Sequence, residues 1–361
     1  MILSTLGEDT VLNTPIIEGY VPSNTSIVLY NEELLFQTRY VSYLKHFTSN
    51  VFNPYKLSLN QNYIFEKPSY HSRNVRYGGG LEQPQEIYYS EGIPANFCGF
   101  EDARLIVWEN ELYTIGARAD KIEGKICMSI ETGGVEEVLA SPFNSRVEKN
   151  WMPIEGMPQC FVYGFCENGL MLYNKTTVNC TIIPQTTSDL GDMWSDIRGS
   201  TPLVSFLNGF LCIVHKQERF NDGYSYKHAF VFLDKDLQVK KISNWFTFHN
   251  CVTEFCTGLC IKDDTVYITY SQLDAVPMML KLTQYSVIRL LEGDVIGGYY
   301  NEREYYRELY KCLEEQGQYR SLSVVSNYLL CLGVWEAKYV NCYMGNNINI
   351  DMFLKMKYRN K

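Results

Sequence analysis

The residues most able to do chemistry stand together in Gly99-Phe100-Glu101-Asp102-Ala103-Arg104-Leu105, directly ahead of an apolar, strand-like run. Glu101 and Asp102 are adjacent carboxylates, the type of side chain that moves protons in general acid–base work. Arg104 is a permanent cation that pairs with anions or polar oxygens. Two readings fit these types and this spacing. At a strand entrance on the inner rim of a ring-shaped fold, the trio faces a ligand. Elsewhere, it is a surface turn with a local ion pair.

The other reactive side chains are scattered. His215 ends an apolar run and is a structural strand-end histidine or a ligand contact. His46, His71, His228 and His249 have no metal-ligand spacing. The 12 cysteines contain no C-x-x-C pair, so neither a zinc ribbon nor a thioredoxin-like site is expected. Cys251, Cys256 and Cys260 read as buried small hydrophobes. Gly78-Gly79-Gly80 is not followed by a helix start and lacks the lysine of a phosphate loop. The residues require no metal and no cofactor.

Composition narrows the class. The net charge of the 361-residue chain is −9, from 41 acidic and 32 basic residues, which argues against a nucleic-acid or anionic-membrane surface spread over the whole protein. No apolar stretch approaches the roughly 18 residues of a membrane span. The first residues, MILSTLGEDTVLNT, lack a basic segment followed by a long apolar run, so a cytoplasmic chain with reduced thiols is expected. In such a chain the N-x-S/T sequons at Asn24, Asn174 and Asn179 are chance matches.

The elements that would position the cluster lean towards β. Aromatic residues make up 14% of the chain, and they suit pleated, half-buried surfaces. An apolar run, a short polar turn and a second apolar run recur at Ile27 to Arg39, Leu105 to Ala117, Met152 to Gly164, Leu203 to His215 and Leu259 to Ser271. Each reads as a β-hairpin. A sixth is expected over Leu322 to Leu332. Hairpins this far apart, with strand-like material between them, suit an all-β, five-bladed β-propeller of four-stranded blades, with the sixth hairpin closing the ring. Asn13 to Asn24 and Tyr77 to Pro84 read as loops. Asn301 to Gln316 reads as a helix with Tyr305, Leu309, Cys312 and Leu313 on one face, ended by Gly317. The expected organisation is one propeller over 1–361, with a helical insertion over 286–320 and a ring-closing segment over 321–361. That helix packs on the flank, caps the pocket or contacts a second subunit of a homo-oligomer.

Gly-Phe-Glu-Asp-Ala-Arg, followed by a strand, Asn-Glu-Leu-Tyr and a second strand, resembles the G-x-E-D-P-R signature of glycoside hydrolase family 130 and its relatives. These five-bladed propellers include β-mannoside phosphorylases, hydrolases and the related mannosyltransferases of glycosyltransferase family 108. Further blocks match in order: Ser26 to Tyr40 ending near Arg39, Arg146-Val-Glu-Lys-Asn-Trp151, Arg198-Gly-Ser-Thr-Pro202 with His215, and Phe255 to Gly258 through Tyr270 to Asp274. The resemblance spans roughly residues 20 to 285. It implies Asp102 as the general acid, donating its proton through a sugar hydroxyl to the glycosidic oxygen, with Glu101 beside it. It implies Arg39 and Asp274 on the sugar, Arg104 orienting the carboxylate pair or holding a sugar hydroxyl, and Arg146, Lys149, Arg198 and His215 around a phosphate. By residue type, Trp151 and Trp194 are stacking platforms for a sugar ring or blade packing.

Two departures shape the expectation. Ala103 replaces the signature proline, a mild change because proline mainly fixes φ. The third hairpin ends in Val162-Tyr163-Gly164-Phe165-Cys166 where phosphorylases carry a basic H-R-P, so one phosphate-binding arginine is missing. The resemblance therefore implies an enzyme that forms or cleaves a glycosidic bond, of a mannoside, by transfer to or from phosphate, a sugar phosphate or a nucleotide sugar. A hydrolase is the first alternative. It would need a carboxylate about 6.5–9.5 Å from the acid to activate water, with Glu254 and Glu148 as candidates. An inactive glycan-binding propeller is the second.

Overall fold

A computed structural model of the protein describes residues 1–50, 58–65, 72–87, 98–167, 169–186, 196–220, 223–249, 251, 253–294 and 302–331. Its hairpins form because apolar runs meet turns that match the strand twist. The turns of the first two hairpins carry positive φ at both central residues, Asn31 (50°) with Glu32 (63°) and Glu109 (52°) with Asn110 (66°), the signature of the tight primed turns.

After a short N-terminal strand β1 (Glu8–Val11), the first blade contains β2 (Val21–Tyr30) and β3 (Glu33–Val41). A two-stranded excursion, β4 (Tyr43–Asn50) with β5 (Ser58–Phe65), precedes its outer strands β6 (Ser72–Gly78) and β7 (Gln85–Ile87). The second blade is β8 (Glu101–Trp108), β9 (Glu111–Asp120), β10 (Lys125–Thr132) and β11 (Val135–Val138). The third is β12 (Met152–Pro153), β13 (Cys160–Cys166), β14 (Gly169–Asn174) and β15 (Asn179–Pro184). In the fourth, β16 (Arg198–Gly199) and β17 (Val204–Phe206) both pair with β18 (Gly209–Phe220), followed by β19 (Gly223–Asp234) and β20 (Val239–Ile242). Pro202 has no N–H to give a ladder, which accounts for the split inner strand. The fifth is β21 (Glu254–Lys262), β22 (Thr265–Gln272) and β23 (Val276–Thr283).

The inner strands meet around one axis. β2 packs on both β8 and β21, β8 on β12, and β17 on β21, so five antiparallel blades close into the expected propeller. The closure differs from the expectation. The outer strand of the fifth blade is β1, paired antiparallel with β23 from Glu8–Lys281 to Val11–Met278. Of the expected sixth hairpin over Leu322 to Leu332, residues 322–331 are instead helix. Among the described residues three helices follow the fifth blade: α1 (Gln284–Leu291), α2 (Glu302–Glu315) and α3 (Tyr319–Cys331). The helical region thus begins before 286 and runs past 320, and residues 332–361 lie outside the described residues. α2 matches the helix read from the sequence, with Leu309 and Leu313 buried.

The core is divided between neighbouring blades. The largest apolar cluster joins the fourth and fifth blades to α1, α2 and α3. A second lies between the third and fourth blades. A third, between the second and third, is centred on Trp151, Phe161 and Tyr173. Among the described residues Cys98, Cys212, Cys251, Cys256 and Cys260 are buried, and Cys127, Cys160, Cys166, Cys180 and Cys312 are half-buried.

Candidate functional site

The site begins with extra residues in inner strands. Glu101 pairs with Ala117 and Arg104 with Ile115, so Asp102 and Ala103 together oppose Gly116. This bulge turns the strand at the axis and puts Asp102 in the left-handed region, φ 49°. Asp and Asn tolerate that region better than most residues. β2 carries the same device: Pro22 pairs with Tyr40 and Thr25 with Thr38, so Ser23 and Asn24 oppose Arg39. The two bulges face one another across the blade junction.

Four of the sequence-predicted residues are gathered there. Arg39, 8% exposed at its side chain, reaches Glu101 Oε1 at 3.3 Å and Asp102 Oδ1 at 3.6 Å. Its Nε donates to Ser72 Oγ at 3.0 Å. Burial alone would lower its pKa, but Glu101, Tyr43, Asp102 and Asp274 outweigh burial and hold the guanidinium firmly charged. Lys149 Nζ lies 2.9 Å from Glu101 Oε2. Burial would raise the Glu101 carboxyl, yet Arg39 and Lys149 prevail and keep it below the usual carboxylate range. The Asp102 carboxyl retains 18% exposure, and Asn24 Nδ2 donates to its Oδ1 at 2.6 Å. Asp274, in the turn between β22 and β23 at φ 52°, completes the ring of acids whose charge acts on Arg39.

Of the two roles expected of Arg104, orienting the carboxylate pair or holding a sugar hydroxyl, its contacts fit the first. It is 1% exposed. Its Nε donates to the carbonyl of Ser200 and its Nη1 to that of Asp102, both at 2.7 Å, and Nη2 reaches Asn150 Oδ1 and the Gly199 carbonyl at 3.4 Å. The side chain ties the second blade to the third and fourth below the carboxylates. Burial pushes its pKa down to about 10, against the pull of Asp102 and Cys256, so it stays charged at neutral pH. The absence of a Cβ at Gly199 makes the arrangement fit, because one there would lie 2.4 Å from the Asn150 carbonyl.

The remaining candidates sit elsewhere or are already engaged. Trp151 is fully buried, packed at tilted angles against Phe161, Tyr163 and Tyr173, with its Nε1 donating to Glu148 at 3.2 Å. It is blade packing and presents no face to a sugar. Trp194 lies outside the described residues. Glu254 is also fully buried, and its carboxylate accepts from the main-chain N–H of Phe248 (2.8 Å), His249 (2.5 Å) and Cys251 (3.4 Å). It clamps the loop before β21. Glu148 is buried with Ser141, Trp151 and Tyr163 donating to it. Both carboxylates are buried away from solvent.

His215 is buried and its Nδ1 shares a hydrogen with Ser200 Oγ at 2.8 Å. Burial first, then His228, Arg104 and Arg198, push it well below the usual histidine range, so the ring is neutral. Arg198 is exposed, with Nη1 donating to Gln217 at 3.1 Å. Arg146 is exposed and its charge acts on Lys125. Among the described residues no group of three or more His, Cys, Asp or Glu could hold a metal. No described helix is long and apolar enough to cross a membrane.

Asn24, Asn150, Ser200 and Ser271 also belong to the cluster's hydrogen-bond network, a role that their residue types do not announce. One signal for Asn24 was available: it stands three residues before Ile27, as Asp102 stands three before Leu105 at the start of the next hairpin.

Fold and cluster define a five-bladed propeller whose axial end gathers carboxylates and cations. No protein-family model matches the chain, and no curated protein matches it. Solved structures similar to it include the β-1,2-mannobiose phosphorylase of Listeria innocua in complex with β-1,2-mannobiose, at 15% identity and TM-score 0.48, covering 77% of this chain and 95% of that one. A glycosyl hydrolase from Bacteroides ovatus is similar at 12% identity and TM-score 0.48, over 76% of this chain and 94% of that one. MPT-4, a mannose phosphorylase from Leishmania mexicana in complex with a phosphate ion, is similar at 13% and 0.45, over 81% and 92%. At these values the five-bladed assignment rests on the chain's own sheets.

Proposed function

We propose that the protein is an enzyme that forms or cleaves the glycosidic bond of a mannoside by transfer to or from phosphate, a sugar phosphate or a nucleotide sugar. The observation that carries this reading is the Glu101–Asp102 pair on the β8 bulge, with Arg39 between the two carboxylates and Lys149 beyond Glu101. These residues fall on the signature that resembles glycoside hydrolase family 130.

In the cleavage direction, protonated Asp102 gives its proton to a sugar hydroxyl, and that hydroxyl's proton passes to the glycosidic oxygen as the C1–O bond breaks. A phosphate oxygen forms the new bond to C1. Transfer runs the same steps backwards. Arg39 stays charged beside the acid and fits a sugar oxygen. Lys149 and exposed Arg198 are the cations that suit an anionic co-substrate, and neutral His215 supports the nearby backbone through Ser200. Transfer is favoured over hydrolysis because Glu148 and Glu254, the candidate water-activating groups, are buried under hydrogen-bond donors. The 12 cysteines without a C-x-x-C pair fit the reducing, cytoplasmic setting expected from the sequence.

The test is turnover of mannose 1-phosphate or GDP-mannose with acceptor sugars, alongside manno-oligosaccharides with and without phosphate. Wild type is expected to consume a phosphate-bearing donor and Asp102→Asn to lose at least 100-fold in rate, the scale of general acid catalysis. Equal rates in both would remove Asp102 from its role. Glycan binding without turnover of any donor would make the protein a lectin-like propeller.

A further inference from the structure

Two side chains from neighbouring blades form a relay onto the carboxyl of Asp102. Asn24, 6% exposed in the β2 bulge, donates through Nδ2 to Asp102 Oδ1 at 2.6 Å. Its Oδ1 accepts the hydroxyl of Ser271, which is fully buried on β22. The chain Ser271–Asn24–Asp102 therefore crosses the fifth, first and second blades. Arg39 Nη1, at 3.6 Å, approaches the same oxygen of Asp102. Among the described residues no hydrogen bond reaches Oδ2.

Hydrogen-bond chemistry makes this order directional. An ionised carboxylate only accepts, so the amide must turn its NH2 group towards Asp102. The Ser271 hydroxyl holds that orientation by donating to the amide oxygen. A proton on Oδ1 would face the Asn24 NH2, donor against donor, and would break the contact. The proton that Asp102 carries must sit on Oδ2. We propose that Asn24, oriented by Ser271, is a positioning residue that keeps Asp102 Oδ1 as the fixed acceptor and makes Oδ2 the oxygen that gives and takes the catalytic proton. The inference rests on the reading of Asp102 as the proton-transfer residue and adds to it which oxygen acts and what selects it. The charged groups around the carboxyl are Arg39 from β3, Glu101 and Arg104 from its own strand, Lys149 ahead of β12 and Asp274 in the β22–β23 turn. None of them donates to Oδ2.

The experiment compares wild type with Asn24→Ala, Asn24→Asp and Ser271→Ala, first by pH–rate profiles on the donor that wild type consumes. Removing the donor to Oδ1 destabilises the ionised carboxyl, so the basic limb of the profile is expected to move about one unit higher in Asn24→Ala. The shift should be larger in Asn24→Asp, where a second carboxyl faces Oδ1, and smaller in Ser271→Ala. kcat is expected to fall about tenfold in Asn24→Ala with KM within twofold, because Asn24 acts through Asp102. A loss confined to KM would make Asn24 a substrate contact and overturn the proposal. The second readout needs no turnover: the Asp102 carboxyl is followed by carbon NMR through a pH titration of labelled protein, assigned by its loss in Asp102→Asn. Its midpoint should rise in both Asn24→Ala and Ser271→Ala. An unchanged midpoint in either folded variant would sink the relay. If wild type turns over no donor, the proposed function fails by itself, and the titration still decides this inference.

Discussion

Arg104 Nη1 donates to the main-chain carbonyl of Asp102 at 2.7 Å, so the arginine of the cluster grips the backbone of the acid and leaves its carboxyl to Asn24 and Arg39. A carboxyl on a left-handed bulge residue can swing if its backbone can. The guanidinium removes that freedom from below, where its other donors are fixed on the carbonyls of Ser200 and Gly199.

Arg104→Met should therefore cost both stability and activity. It strips the donor from several buried acceptors, each at about 1–3 kcal/mol. Loss of a desolvated charge offsets part of this. A net loss of about 2–4 kcal/mol is expected in urea unfolding, with a fall in kcat of about 100-fold. Arg104→Lys should recover less than half, since an ammonium lacks the planar fork that reaches three blades. An unfolding midpoint equal to wild type in Arg104→Met would show that the backbone needs no such anchor.

Glu101 makes stability depend on acid. Its carboxyl is held below the usual range in the folded state, burial being outweighed by Arg39 and Lys149, whereas an unfolded glutamate titrates near about 4.3. The contribution is present above that unfolded value and is lost as pH falls through the folded one. Melting temperature followed from pH 7 down to pH 3 should fall more steeply in wild type than in Glu101→Gln. Parallel curves would mean that the pairs with Arg39 and Lys149 contribute nothing to folding.

The parts of this architecture that were legible in the sequence share a local cause. Ile27 to Arg39 and Leu105 to Ala117 announce hairpins because each strand and its turn lie within about a dozen residues. Glu101, Asp102, Arg39 and Lys149 announce chemistry by type. Ring closure does not, because β1 finds β23 some 270 residues along the chain. α3 misleads for a different reason. Its Val324, Val325 and leucines suit a strand, yet Leu322, Val325 and Leu329 fall on one helical face and are buried, and Ser326 bonds back to the Leu322 carbonyl. Trp151 and Glu254 are residue types that read as functional until burial is known. Asn24 reads as loop because its meaning depends on a bulge, which shifts register by one residue without any residue type to mark it.

His228 gives a second pH dependence. It is fully buried between Phe246 and Phe248, and among the described residues neither ring nitrogen has a hydrogen-bond partner. Burial lowers its pKa to about 3. An unfolded histidine takes its proton near about 6.5, so from there down to the folded value the unfolded state binds more protons and stability falls as pH falls. The slope from one such group is about 1.4 kcal/mol per pH unit. His228→Phe, which keeps a ring in an aromatic slot, should remove that slope between pH 6 and 4 and change stability little at pH 8. His215 acts in the same direction and would remain. A variant as acid-sensitive as wild type in urea unfolding would contradict the neutral, unpartnered state of this ring.

Gly116 tests whether the bulge itself places the acid. It lies opposite Asp102 and Ala103, and a Cβ there would stand 2.8 Å from Phe100 Cδ1, 3.1 Å from the Glu101 carbonyl oxygen and 3.3 Å from Ala103 Cα. Two of those three atoms are backbone, so Gly116→Ala cannot be relieved by a rotamer change alone. The extra methyl must push β8 away from β9 at the point where Asp102 is carried. Overpacking of this kind costs about 1–3 kcal/mol. A displacement near 1 Å at a reacting group can cost about 100-fold in rate. Gly116→Ala is therefore expected to lose far more in kcat than its modest drop in unfolding free energy accounts for. Gly164→Ala serves as the comparison, because the atom its Cβ would meet is the flexible methyl end of Met171 at 3.3 Å. That variant should stay close to wild type in both measurements. If Gly116→Ala lost stability but kept its turnover rate, Asp102 would not depend on the bulge for its position, and the acid's alignment would have to come from Asn24, Arg39 and Arg104.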